Sequence, residues 1–451
     1  MAQTVDVVVV GMGPGGESAA GELAEAGLSV VGIDARLVGG ECPYYGCIPS
    51  KMLIRGADAL AESRRATELA GTVSVEPDLT PVAKRIREEA TTGWDDRIAV
   101  ERFTGKGGHF VRGRATITGP RTVSVEGQQF TARRALILNP GTEPAIPPIT
   151  GLADTPYWTN REIVALERPP ESLCVLGGGA IGLEFAQAFA RFGTTVTIVE
   201  AAERLLSLEE PEAGDLLAEV LTAEGVTVHT SAKARAVGYS GDGFTIDIGS
   251  AQVPAAQLLV ATGRRTDLRK LGVEALGIDP SSRYFEPDEH MRVADGVWAI
   301  GDATGKGAFT HMSMYQAAVA TRDILGTLGT GAEYHAVPRV TFTDPEIGAV
   351  GLTAAQAADR GLTVRTAMAQ LPGSSRGWIH KLGNHGFIKL VEDLETGVLA
   401  GATAAGPSGG EMLSALAVAV HARVPTDRLR QMIYAYPTFH RTIEDALGTL
   451  R

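Results

Sequence analysis

Cysteine is almost absent from this chain of 451 residues: there are three, and two of them, Cys42 and Cys47, are separated by only four residues. So small a supply excludes a disulfide-stapled scaffold. The close pair does not make a zinc site either, because no second pair of Cys or His ligands follows it. Long apolar runs are also missing. The amino-terminal run Val5 to Val10 has no basic segment before it and is too short for a bilayer span or a signal, so a cytoplasmic protein without a membrane partner is expected. Positive charge is in deficit, with 41 Lys and Arg against 53 Asp and Glu, a net charge of -12 and a pI near 5.3. That balance argues against nucleic acid or an anionic surface as a partner, since both need a basic face. In a reducing compartment a permanent structural disulfide is disfavoured. The close pair therefore points to a dithiol/disulfide relay, with two buried thiols as the plain alternative.

What the chain does have is two copies of one device. Val7-Val8-Val9-Val10 is a β-branched run that ends in Gly11-Met12-Gly13-Pro14-Gly15-Gly16, and an alanine-rich helical pattern follows over 17–26. Gly11 permits the tight turn, Gly13 lets backbone approach a pyrophosphate, and Gly16 allows close helix packing. Asp34 closes the next strand, where an acid binds an adenosine ribose. Cys174-Val175-Leu176 opens the second copy, with Gly177, Gly179 and Gly182 as its glycines and Glu200 as its acid. Asp34 follows Gly11 by 23 positions and Glu200 follows Gly177 by 23. Two βαβ units predict two dinucleotides, as in an enzyme that passes electrons from a nicotinamide to a flavin. Glu200 favours NADH over NADPH, and Arg204 nearby tempers that preference.

Between the units the pattern predicts helices over 54–69 and from Pro81 to about Phe103, then alternating segments from Phe110 to Ala115 and 122–125, and the apolar run 135–138 before Asn139-Pro140-Gly141. A Pro-rich stretch, 144–148, reads as a linker. An acidic helix is expected over 209–224, a buried strand over 297–300 running into Gly301-Asp302, and a helix over 311–325. Asp302 suits hydroxyl recognition on a sugar or ribityl chain; a helix cap is the alternative. From about 336 the composition is mixed α+β, with strands over 339–343 and 386–391 and an apolar helix over 411–422.

On these residues the whole chain resembles the flavoprotein pyridine-nucleotide-disulfide oxidoreductases, the family of lipoamide dehydrogenase, glutathione reductase and mercuric reductase. The stretch Gly39-Gly40-Glu41-Cys42-Pro43-Tyr44-Tyr45-Gly46-Cys47-Ile48-Pro49-Ser50-Lys51 carries its most specific signature, and Gly301-Asp302, Thr262-Gly263-Arg264 and Thr343-Asp344-Pro345-Glu346 also match. The resemblance implies an α/β fold of two Rossmann-type nucleotide-binding domains plus a carboxy-terminal α+β dimerisation domain. It divides the chain into an FAD-binding domain (1–147), an NAD(P)-binding domain (148–268), a central part of the FAD domain (269–335) and an interface domain (336–451), in a homodimer. It also implies FAD on the first unit and NAD(P)H on the second. Cys47 would face the flavin and Cys42 would be the outer thiol. Lys51 would sit near the flavin, paired with Glu184, while Asp34 and Asp302 hold the ribose and ribityl chain. Ala115 and Gly263 complete the expected cofactor contacts.

Departures from the family pattern are equally definite. Where its disulfide reductases have a His/Glu dyad, this chain has Tyr436 and Arg441, and tyrosine, titrating near 10, is a poor general base. His440 could take that role if a helix from Thr438 brings Glu444 alongside it. A carboxy-terminal cysteine pair, expected of a mercuric reductase, does not follow Cys174, and a transhydrogenase would not be expected to keep both Cys42 and Cys47. Tyr44-Tyr45 and Asn139-Pro140, where the family has Ala-Thr, are further departures. The expectation is thus an NADH-dependent FAD enzyme acting through Cys42/Cys47 on a small-molecule disulfide acceptor. Quinone, mercuric-ion or transhydrogenase-like reduction is the alternative. A non-catalytic flavoprotein subunit fits poorly with intact glycine turns, ribose acids, Lys51 and Glu184.

Overall fold

The computed structural model describes residues 3–327 and 329–450, which form two compact units, each assembled from separated stretches. The first comprises Met1–Pro49, Lys84–Ala145 and Arg264–Tyr334. Its eight-stranded sheet has strand Gln3–Val10 at the centre, parallel to Val30–Asp34 on one side and to Gln128–Leu138 on the other, with Val7 opposite both Val30 and Ala135. The continuous valine run follows from burial on both faces. Val7 and Val9 pack with Ala19, Ala20 and Leu23, while Val8 and Val10 face Ile117 and Phe130.

The second unit comprises Ser50–Ala83, Ile146–Gly263 and His335–Arg451. It holds a four-stranded parallel sheet, in which Ser172–Leu176 lies between Thr195–Val199 and Gln257–Val260, and an antiparallel three-stranded sheet over 236–255. Its carboxy-terminal part is a five-stranded antiparallel sheet running from Pro338–Thr341 to Val364–Gln370, covered by helices Gly409–His421 and Thr442–Thr449 through Leu413, Leu416, Ala446 and Leu447.

Two helices differ from expectation. One begins at Cys47 rather than Ile54 and runs to Leu69, because Pro49 falls in its first turn, where a missing N–H costs nothing. The helix expected from Pro81 to Phe103 is broken. Thr80–Arg85 passes into a widened π turn, Ile86–Ala90, and helix resumes only at Arg97–Gly105.

A buried ion cluster knits the second unit together. Arg191, 2% exposed, donates to Asp58, to both oxygens of Glu224 and to Asp344, which also accepts from Arg65. Arg191→Ala would take this counter-charge from Asp58 and Glu224 and leave Asp344 to Arg65. We expect a loss of about 3–5 kcal/mol, read as a fall in the denaturant midpoint; a loss below about 1 kcal/mol would show that water replaces the guanidinium.

Candidate active site

In each glycine turn the helix crosses its strand so closely that a side chain would collide. A Cβ on Gly16 would lie 2.0 Å from the Gly11 carbonyl oxygen, and one on Gly182 would lie 2.1 Å from that of Gly177. The helices that follow, Pro14–Glu25 and Ala180–Arg191, start at Gly13 and Gly179 with no side-chain cap. Elsewhere Thr159 and Thr353 close full capping boxes. The bare ends, with open space beside Gly179, leave backbone N–H groups and positive dipole for a pyrophosphate, so both sites fit a dinucleotide.

The two strand-end acids, Asp34 and Glu200, are held alike. Asp34 accepts the N–H of Met12 and of Arg36, each at 2.7 Å; Glu200 accepts those of Gly178 at 2.5 Å and Ala202 at 2.6 Å. Burial pushes the Asp34 carboxyl above the usual range. Gly263 has φ +113° and nothing near the position of an added Cβ. Ala115 is a buried strand residue in the cluster of Ile117 and Val125, so its side chain serves the core.

Asp302 lies in a short 3-10 turn, Gly301–Thr304, and the helix Thr310–Leu325 is capped at Phe309, so Asp302 is not its cap. It accepts the Thr142 hydroxyl at 2.8 Å, and Arg264 donates to the same hydroxyl and to the Thr142 carbonyl, each at 2.7 Å. Burial raises its carboxyl above the ordinary value. Asn139, a departure in sequence, is a tether in structure. Its Nδ2 donates to the Gly11 carbonyl at 3.2 Å and its Oδ1 lies 3.4 Å from the Ser313 hydroxyl.

Cys42 is half-buried within the short helix Glu41–Tyr44, and Cys47, exposed, opens the helix Cys47–Leu69. Cys47 Sγ lies 3.4 Å from the Thr310 hydroxyl, a partner no sequence motif marked. Cys174 is fully buried in its strand, and burial pushes its thiol up to about 12. In the second unit Lys51 Nζ sits 2.8 Å from Glu184 Oε2 and over the Phe342 ring, while Glu184 Oε1 accepts the Phe342 N–H at 2.9 Å.

The carboxy-terminal motif does not form the helix that would bring Glu444 alongside His440. A tight turn, Phe439–Arg441, precedes the helix Thr442–Thr449, and it puts Arg441, not His440, against Glu444 at 2.9 Å. The contact is one of charge without hydrogen-bond alignment, since Glu444 Oε2 has no hydrogen-bonding partner. Arg441 also covers the ring of Tyr436, which is 68% exposed, and His440 lies beside the Tyr434 ring.

Residues 5–322 match the family described as pyridine nucleotide-disulphide oxidoreductase, and residues 337–447 match its dimerisation domain. The chain belongs to this family. A mercuric reductase from Streptomyces lividans is 32% identical, with 98% of this chain and 96% of the relative covered. A dihydrolipoyl dehydrogenase from Chlorobaculum parvum is 32% identical at the same coverage. Among solved structures, the HOCl-induced flavoprotein disulfide reductase RclA from Escherichia coli, as its Cu(II) complex, is similar with a TM-score of 0.87, 26% identity and complete coverage of both chains. LpdA from Mycobacterium tuberculosis is similar with a TM-score of 0.87 and 26% identity, over 99% of this chain and 100% of that one. The protein is therefore an FAD-dependent oxidoreductase that uses NAD(P)H. Among the described residues, no helix is long and apolar enough to cross a membrane and no group of three acidic, His or Cys side chains could hold a metal.

The difference between the thiols is testable. After reduction by NADH, iodoacetamide should label Cys42 and Cys47 in the native enzyme and Cys174 only after denaturation. Mass spectrometry reads the sites, and native labelling of Cys174 would contradict its burial.

Proposed function

We propose that the enzyme moves electrons from NADH through FAD to a Cys42/Cys47 disulfide and on to a small disulfide acceptor. The observation that carries the proposal is the contrast among the three cysteines, with the signature pair accessible and the third sealed in the core. Bound FAD supplies the two-electron relay between nicotinamide and disulfide. Cys42 then attacks one acceptor sulfur, breaking the acceptor S–S bond and releasing one thiol. Cys47 displaces the second and closes the Cys42–Cys47 disulfide, and the two protons leave on the released thiols. The position of Cys47 at a helix start, with the Thr310 hydroxyl beside it, favours its thiolate. Lys51, oriented by Glu184, carries the positive charge of the signature stretch.

Preference for NADH rests on Glu200 together with Arg204. That guanidinium is already committed to the carbonyls of Leu206, Ser207 and Glu209, which supports its not serving as a grip for a 2'-phosphate. We assign 1–147 and 269–335 to FAD, 148–268 to NADH and 336–451 to a homodimer interface, in a cytoplasmic enzyme. Ile433, 95% exposed, and Val418, 65% exposed, support burial of this face in a dimer. A second reading, reduction of a quinone-like acceptor, is supported by the pairing of Glu444 with Arg441, because that acceptor needs no proton shuttle at the thiol.

Cys42→Ser should abolish disulfide reduction yet spare quinone reduction; equal loss of both would contradict the assignment of Cys42. Tyr436→His should add thiol exchange with lipoamide, and an unchanged steady-state rate would count against the missing base as the cause. Glu200→Ala should cost about tenfold in kcat/KM for NADH, as expected for a lost charge-assisted hydrogen bond, without a matching gain for NADPH.

A further inference from the structure

The break in the helix expected over 81–103 carries a consequence for the redox loop. After the π turn, Thr92, Gly93 and Trp94 lie consecutively in the left-handed region, at φ 49°, 71° and 59°. For Thr and Trp that conformation is disfavoured and persists only where the surroundings enforce it. Here they do. The buried Thr91 hydroxyl donates to the Arg87 carbonyl at 3.1 Å and accepts the Trp94 N–H at 3.3 Å. The Thr92 hydroxyl lies 2.8 Å from the carbonyls of both Thr91 and Asp95, and the Gly93 N–H donates to the Arg87 carbonyl at 2.6 Å.

The strained turn aims two groups at one stretch of chain. Trp94 Nε1 donates to the Tyr44 carbonyl at 3.2 Å, and Tyr44 stands between Cys42 and Cys47. Two residues on, the buried Asp96 carboxylate accepts the Val38 N–H at 2.6 Å, immediately before Gly39-Gly40, and is held in turn by Arg112 at 2.5 Å. The loop is thus gripped by its backbone on both sides of Cys42. The grip matters because Gly39 and Gly40, both at positive φ, and Gly46 would otherwise leave this stretch free to move. Disulfide closure requires both Cα separation and Cβ direction within narrow limits.

We propose that residues 91–96 clamp the redox loop and that Trp94 is a positioning residue holding Cys42 and Cys47 in register for disulfide closure. The proposal rests on the reading of that pair as redox-active. Losing the indole N–H leaves the Tyr44 carbonyl without this donor and widens the range of loop conformations in the dithiol. The disulfide then becomes less favourable.

The test uses the FAD-loaded enzyme and its Trp94→Phe variant, which keeps an aromatic ring but lacks the donor. Both are equilibrated in mixtures of glutathione and glutathione disulfide, the thiols are blocked with maleimide, and the loop disulfide is quantified by mass spectrometry. Trp94→Phe should lower the disulfide/dithiol equilibrium constant about fivefold, within the range for one lost hydrogen bond. Trp94→His, which restores a ring N–H, should recover most of it, and Thr92→Ala should shift it in the same direction by loosening the turn while leaving the indole in place. Equal constants for the unaltered enzyme and all three variants would overturn the clamp while leaving the redox pair intact. A loop that forms no disulfide in the unaltered enzyme under any buffer would overturn both the clamp and the reading beneath it. If Trp94→Phe does not fold, Thr92→Ala decides alone.

Discussion

Both glycine turns depend on one steric constraint, the absence of a side chain where the first helix of each βαβ unit crosses its turn. Because Gly16 and Gly182 have no Cβ, backbone can pass within van der Waals contact of the Gly11 and Gly177 carbonyls. The same glycine-rich starts leave both helices without side-chain caps. Those free N–H groups are suited to a pyrophosphate. The acids follow from the same geometry, each pinned by two backbone N–H groups at the end of the neighbouring strand.

Much of this was legible in the sequence because it is local. Valine runs, glycine spacing and the acid 23 positions on all fall within one βαβ unit, where chain order and spatial order coincide. The pairing of Lys51 with Glu184 spans 133 positions and was reached only through resemblance, as nothing in the local pattern of either residue points to the other. The Thr310 hydroxyl beside Cys47 was missed for the same reason, being 263 positions away and part of no motif. His440 shows the opposite failure. The spacing to Glu444 suits a helix, but the turn Phe439–Arg441 shifts the phase so that Arg441 takes the carboxylate.

The helix expected over 81–103 shows how a strong pattern can mislead. Its two ends are rich in helix formers, but the middle, Thr91-Thr92-Gly93-Trp94-Asp95-Asp96, is a run of weak ones. Local side-chain bonds from Thr91 and Thr92 hold the turn there, and the long-range bond from the Val38 N–H to Asp96 ties it to the redox loop. Asn139 is comparable: it reads as an unexplained departure until its amide is seen spanning the Gly11 carbonyl and Ser313.

The seclusion of Cys174 also bears on survival under oxidants. A thiol titrating near 12 is essentially never a thiolate, so peroxide or hypochlorite finds no reactive sulfhydryl there. Cysteine damage is channelled instead to the pair. A sulfenic acid formed on either member can condense with its neighbour, giving the disulfide of the proposed relay. In that relay, oxidation that stops at the disulfide is undone by the next turnover.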